Sequence, residues 1–210
     1  MYVPQHFQAS DDDLRALLDR GAGDLITVTD QGLLATFLPF LYDAGPGDHG
    51  VLVGHLARNN DQWKRPAVGE ALVILHGPDA YVSPSFYPSR VENPRVVPTW
   101  NYLTAHVYGT LVVHDDVEWL RALVTRLTET HEAYEPVKWS VDDAPAAHIE
   151  GQLRAIVGLE LQVSRIEVKA KMSQNRPAVD VPQIIDGLTA RGDIATADAV
   201  RAANAARGLR

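Results

Sequence analysis

The stretch "DLITVTDQGLLATFLPFLY", residues 24–42, decides the fold. "DLITVT" and "LLATFLPFLY" are rich in β-branched and aromatic residues, and the polar "DQG" between them is a turn. The segment therefore reads as two strands joined by a tight hairpin. Upstream, Ser10 is placed to cap a helix, Asp11 to Asp13 suit its positive end, and Leu14, Leu17 and Leu18 share one face before Gly21. Downstream, the Gly/Pro loop "DAGPGDHG" leads into the apolar strand "VLVGHL" at 51–56.

Further along, "EALVILHG" and "AYVSPS" read as two strands separated by the turn-forming "GPD". Pro84, Pro88, Pro94 and Pro98 make 84–98 a surface loop. "TWNYLTAHVYGTLVVHD" is a long strand in which Gly109 marks a bulge or bend. Residues 116–134 form a helix with the apolar stripe Trp119, Leu120, Leu123, Val124 and Leu127. A short helix is expected around "PAAHIEGQL", followed by a last strand, "RAIVGLELQVSRIEVKAK". The tail, 183–210, is helical and Ala/Arg-rich, only weakly amphipathic towards its end and apt to fray.

Six or seven strands in short-range succession, with a few late helices, indicate a small antiparallel β-barrel with peripheral helices. Strand–helix alternation of the doubly wound kind is absent, and so is any internal repeat. The expected organisation is one domain over 1–182 and a helical tail over 183–210.

Composition narrows the function. The 210 residues are 46% hydrophobic, which suits a globular chain, and no apolar run approaches a membrane span. The opening "MYVPQHFQAS" lacks the basic start and apolar centre of a signal peptide, so a cytoplasmic location without membrane association is expected. With no cysteine there is no disulfide, thiolate nucleophile or Cys-ligated metal. The net charge of −8 argues against a broadly basic nucleic-acid-binding surface.

That charge is uneven. Residues 1–52 carry eight Asp against two Arg, a net of −6. Two later segments are basic: 54–65, with Arg58, Lys64 and Arg65 against Asp61, and 165–176, with Arg165, Lys169, Lys171 and Arg176 against Glu167. Such islands suit a local anion site, or a chance grouping of solvated side chains.

Nucleophilic and metal chemistry find little in the sequence. No Gly-x-Ser-x-Gly elbow occurs, the eight histidines lack paired metal spacing, and phosphate-loop and dinucleotide fingerprints are absent. No acid or base stands out as catalytic, although His55 and His106 lie on expected strands. The segment "GHLARNNDQW", 54–63, is different in kind. A phosphate monoester needs a cation and several amide donors converging on its oxygens. Arg58, Asn59, Asn60, Gln62 and Lys64 supply these within seven residues, and Trp63 adds an aromatic plane. The same residues equally suit a polar turn pinned into the core by Trp63.

Several spaced motifs carry a family resemblance: "MYVPQHF" (1–7), "GHLARNNDQW" (54–63), "HGPDAYVSPSFY" (76–87), "VPTWNY" (97–102), "HVYGT" (106–110), "AIVGLELQV" (155–163) and "KMSQNR" (171–176). In this order they resemble the PaiB family, FMN-binding negative transcriptional regulators with a flavin-reductase-like split barrel. The resemblance runs to about residue 190, with a departure at "PSRVENPRV". It implies a homodimer with FMN in a cleft between subunits. Thr36, Phe37 and Leu38 would run along the isoalloxazine. His55, Arg58, Asn60, Gln62 and Trp63 would serve the phosphate and ribityl chain. Lys171, Gln174, Asn175 and Arg176 would approach the flavin. DNA is a partner by resemblance that the charge does not support. A flavin-dependent oxidoreductase and a haem-binding or haem-degrading split barrel are the alternative functions.

Overall fold

In the computed structural model, which describes residues 1–45 and 49–205, the hairpin stands where its turn places it. Strand β1 (Ala22–Thr29) pairs antiparallel with β2 (Gly32–Asp43), Thr29 opposite Gly32 and Leu25 opposite Thr36. Strands β3 (Val51–Ala57), β4 (Ala71–Val82), β5 (Thr99–His114) and β6 (Ile156–Lys171) complete a closed barrel in the order β1-β2-β3-β6-β5-β4. Closure removes the free sheet edges that would otherwise pair with other chains. This is the expected split barrel with peripheral helices.

One expectation about the strands is corrected. "GPD" is not a turn, because β4 runs unbroken through Gly77, Pro78 and Asp79. Gly77 keeps an ordinary backbone and serves packing instead: a Cβ there would lie 2.9 Å from the Leu103 side chain. At Gly109, within β5, the missing side chain makes room for the Gln162 backbone of β6. At both positions the glycine admits a close neighbour.

The chain divides into two compact units. One comprises residues 18–75 and 106–166 and holds β1, β2 and β3 together with parts of the other strands. Its strands alternate, so Leu25, Leu38, Phe40, Leu52, Leu56, Val157 and Leu159 are buried. Helix α2 (Val117–Glu132) starts at Asp116, whose carboxylate accepts from the Trp119 N–H at 2.8 Å. Its stripe divides between two clusters. Leu123 and Leu127 pack with Val53 of β3, while Leu120 joins Val141 and two residues of α3 (Ala146–Arg154), Ile149 and Leu153. Each fully buried leucine contributes about 2 kcal/mol of burial.

The other unit comprises residues 1–17, 76–105 and those from 167 onward. Helix α1 (Asp11–Arg20) begins on a reciprocal cap in which Ser10 and Asp13 bond each other's backbone N–H. The proline-rich loop contains two short 3-10 turns, Pro84–Phe86 and Pro88–Val91. Buried Asp180 accepts from the backbone N–H and the hydroxyl of Ser89 at 3.0 and 2.7 Å, tying the start of α4 (Asp180–Ala190) to that loop. Residues 182 and 183 both lie within α4. Helix α5 (Ile194–Asn204) packs on α4 and buries Ala197, Val200 and Asn204. The Asn204 amide donates to the Met172 and Val200 carbonyls at 2.9 and 2.8 Å. The expected fraying of the tail is therefore corrected as far as residue 204, because a buried amide anchors it; residues 206–210 lie outside the described chain. Among the described residues no helix is long and apolar enough to cross a membrane.

Candidate functional site

Strand β3 ends at Ala57, and the chain turns through Arg58–Asn60 into a 3-10 turn at Asp61–Lys64. The turn is built from its own side chains. Asn60 caps it, accepting from the Gln62 N–H at 2.9 Å, and the Trp63 indole donates to the Arg58 carbonyl at 2.9 Å. Gln62 is only 2% exposed. Its amide donates to the Leu25 carbonyl and the Thr27 hydroxyl, each at 3.1 Å, and accepts from the Thr36 hydroxyl at 2.7 Å. Asn60 donates to the same Thr36 hydroxyl at 3.0 Å. Thr36, Asn60 and Gln62 thus form one hydrogen-bonded group fastening the turn to the hairpin.

This arrangement sets what faces outward. Arg58 donates from Nε to the Arg154 carbonyl at 2.8 Å, from Nη2 to the Ile156 carbonyl at 3.0 Å, and bidentately to Asp115. That fork holds the Asp115 carboxyl below its ordinary range, through the hydrogen bond first and the charge second. Lys64 and Arg65 share one carboxylate, Asp61, at 3.1 and 3.8 Å. Three cations therefore meet two carboxylates here, leaving one positive charge beside the exposed side chain of Asn59.

The remaining candidates of this unit are placed unequally. Phe37 points away from Thr36 and is 64% exposed, whereas Leu38 is buried in the barrel. His55 is not brought to the Thr36 group. It shares its face of β3 with Val53, which packs on α2, and burial pushes its imidazole pKa down.

Lys171, Gln174, Asn175 and Arg176 lie in the other unit. Gln174 clamps a tight turn, accepting from the Met172 N–H at 2.6 Å and donating to the Ala170 carbonyl at 2.7 Å. Ser173 inside that turn adopts φ 64°, a left-handed conformation costing a non-glycine residue about 1 kcal/mol. Buried Asn101, which donates to the Ser173 hydroxyl at 2.9 Å, helps to hold it there. Lys171 Nζ donates to the Trp100 carbonyl at 2.6 Å and to the Thr99 hydroxyl. Burial, then the charges of Lys169 and Arg176, push the Lys171 pKa down. Arg176 lies 4.2 Å above the Tyr87 ring, and Asn175 is exposed. Asn101, Ser173 and Asp115 were outside the sequence-based set. Asn101 sits inside "VPTWNY" and Ser173 inside "KMSQNR", but nothing local pointed to Asp115, 57 residues from Arg58.

Both groups suit a phosphate-bearing ligand: a fastened turn with surplus positive charge, and a lysine whose burial, and then its cationic neighbours, disfavour its charged form, which a nearby anion would favour. Solved structures with this fold include the FAD and heme binding protein from Mycobacterium smegmatis (TM-score 0.53, 18% identity, 80% of this chain and 74% of that one). The flavocytochrome Anf3 from Azotobacter vinelandii is similar (TM-score 0.55, 12% identity, 80% and 72%). Fold and site together define an FMN-binding split-barrel protein. The chain belongs to the family described as "Putative FMN-binding domain", whose model matches residues 1–165, and it is a PaiB homologue. It is 34% identical over 193 residues to the Bacillus subtilis "Protease synthase and sporulation protein PAI 2", covering 90% of this chain and 89% of the relative. It is 31% identical over 185 residues to a protein of Emericella nidulans, covering 73% and 74%.

Proposed function

We propose that this protein is a homodimeric, FMN-binding regulatory protein of the PaiB type, with the FMN phosphate held by the 58–65 turn. The observation that carries this reading is the Thr36–Asn60–Gln62 group, which fixes a turn with one surplus positive charge against a barrel strand. A rigid donor set loses little entropy when its ligand arrives. In this reading Gln62 and Asn60 position the turn, while Lys64, Arg65 and the one Arg58 Nη1 hydrogen not committed to the contacts above meet the phosphate. Bound FMN supplies a redox-active chromophore. Thr36 and Phe37 lie on the strand along which its ring would rest.

The homodimer is supported by an apolar face on the hairpin. Val28 stands opposite Leu33, and these two residues and Phe37 are 46%, 71% and 64% exposed. Apolar rows of this kind mark interaction surfaces, and a second copy of the chain is the occupant we assign. Regulation by direct contact with DNA phosphates is disfavoured by the net charge of −8, so the flavin-loaded dimer acts through a partner protein.

The test is an FMN titration of the purified chain and of a Lys64→Ala/Arg65→Ala double variant. At least a tenfold loss of affinity in the variant is expected; equal affinity would remove the phosphate from this turn. A cytoplasmic site of action is part of the proposal and is checked by fractionation of cells carrying a tagged chain.

A further inference from the structure

Beneath α2 and α3 lies a cavity of about 420 Å³ that the flavin reading leaves unused. Its deep wall is apolar, formed by Val141, Ile149 and Leu153, all buried, with Val124 and Ile156 beside them. A second hollow of about 310 Å³ shares His55, Thr128 and Trp139 with it. The volume lies in the range of small-molecule sites, and a few polar groups stand among the apolar ones, as such sites require.

Those polar groups limit the ligand. Among the described residues, no Asp, Glu, Lys or Arg lines the 420 Å³ cavity. The titratable side chains among its described lining residues are His55 and His148. Burial disfavours the charged form of His55, and its Nδ1 is a buried atom without a hydrogen-bond partner. An apolar wall with no fixed charge rejects ions, whose desolvation nothing there repays. The exposed His148 and Gln152 and the half-buried Thr128 offer hydrogen-bonding groups. The indole of Trp139, 45% exposed, provides an aromatic wall.

We propose that the cavity between β3, α2 and α3 is a second ligand site, taking a neutral, largely aromatic small molecule with a single hydrogen-bonding group. The occupant stacks against Trp139 and places its polar group among His55, Thr128 and His148. This site assigns His55 to the second ligand and does not depend on where FMN binds.

The probe is N-phenyl-1-naphthylamine, a neutral, fluorescent aromatic amine with one N–H, titrated into the full chain with and without FMN. Saturable, blue-shifted emission at one equivalent is expected, undisturbed by FMN. Thr128→Trp fills both hollows and is expected to weaken the probe at least tenfold while leaving FMN affinity unchanged. Ala144→Trp, which fills the larger cavity alone, is expected to weaken the probe likewise, and thermal unfolding of both variants checks that they fold. Absence of saturable binding, or folded variants that bind the probe as the parent does, would overturn the proposal. Displacement of the probe by FMN would also overturn it, by making the cavity part of the flavin site. Failure of FMN to bind at all, with the probe still binding, would count against the flavin reading alone.

Discussion

The Thr36 hydroxyl donates to the Gln62 side-chain carbonyl at 2.7 Å, joining the second barrel strand to the turn after the third. Thr36 also receives the Asn60 amide, so one hydroxyl locks two residues of the turn. Gln62→Ala removes the buried partner of Thr36, Thr27 and the Leu25 carbonyl at one stroke. Unsatisfied buried groups of this kind cost about 1–3 kcal/mol each, partly offset where water enters. A clear fall in melting temperature is expected, with FMN affinity lower by at least tenfold. An unchanged melting temperature in Gln62→Ala would show that the group does not hold the turn.

The Arg58–Asp115 pair makes a pH-dependent contribution. Its folded carboxyl pKa is depressed, so the stabilisation is present above the ordinary aspartate value of about 4 and is lost as pH falls through the depressed folded value. Asp115→Asn lacks it. The melting temperatures of parent and variant should differ at neutral pH and converge in strong acid. A gap independent of pH would mean that the carboxylate charge contributes nothing.

Lys171 gives the opposite sign. Its folded pKa is lowered by burial first and by Lys169 and Arg176 after it, so its charge is a penalty at neutral pH. That penalty is relieved as pH rises from the lowered value towards the ordinary lysine value of about 10.4. The melting temperature of Lys171→Met relative to the parent is therefore expected to be higher at pH 7 than in alkali. The same variant should bind FMN more weakly if the lysine meets the flavin nucleotide. A difference between variant and parent that does not change from neutral pH to alkali would contradict the sign.

Phe37→Glu tests the apolar hairpin face. Sedimentation of the parent should give twice the 23.0 kDa chain mass, and the variant should sediment as a single chain. A parent that is monomeric at all concentrations would remove the dimer, and a variant that stays dimeric would move its interface elsewhere.

The barrel was legible because alternation and turn chemistry are local. "DQG" closes the hairpin, and the Leu120–Leu123–Leu127 stripe marks α2 before any tertiary contact is known. Gly77 misled because glycine has the same local signature whether it turns a chain or admits a neighbour; only the position of Leu103 tells the two apart. The tail looked weak for a related reason, since Asn204 reads as polar until the Met172 carbonyl is seen beside it. At the site, Asn60 and Gln62 of the 54–63 motif stand together on one turn, fastened to Thr36. The motif's division into Gln62 as a buried fastener and Arg58 as an arginine committed to Asp115 depends on pairings 26 and 57 residues apart, which no local pattern carries.

The most direct test of FMN binding at the 58–65 turn is a single spectroscopic titration. Purified protein is mixed with increasing FMN, and separately with haemin, and flavin absorbance and fluorescence are followed. One FMN per chain is expected, with perturbed flavin bands and no Soret band specific to the protein, and at least tenfold weaker FMN binding in the Lys64→Ala/Arg65→Ala variant. Parent protein that leaves the FMN spectrum and fluorescence unchanged at saturating concentration would contradict the account.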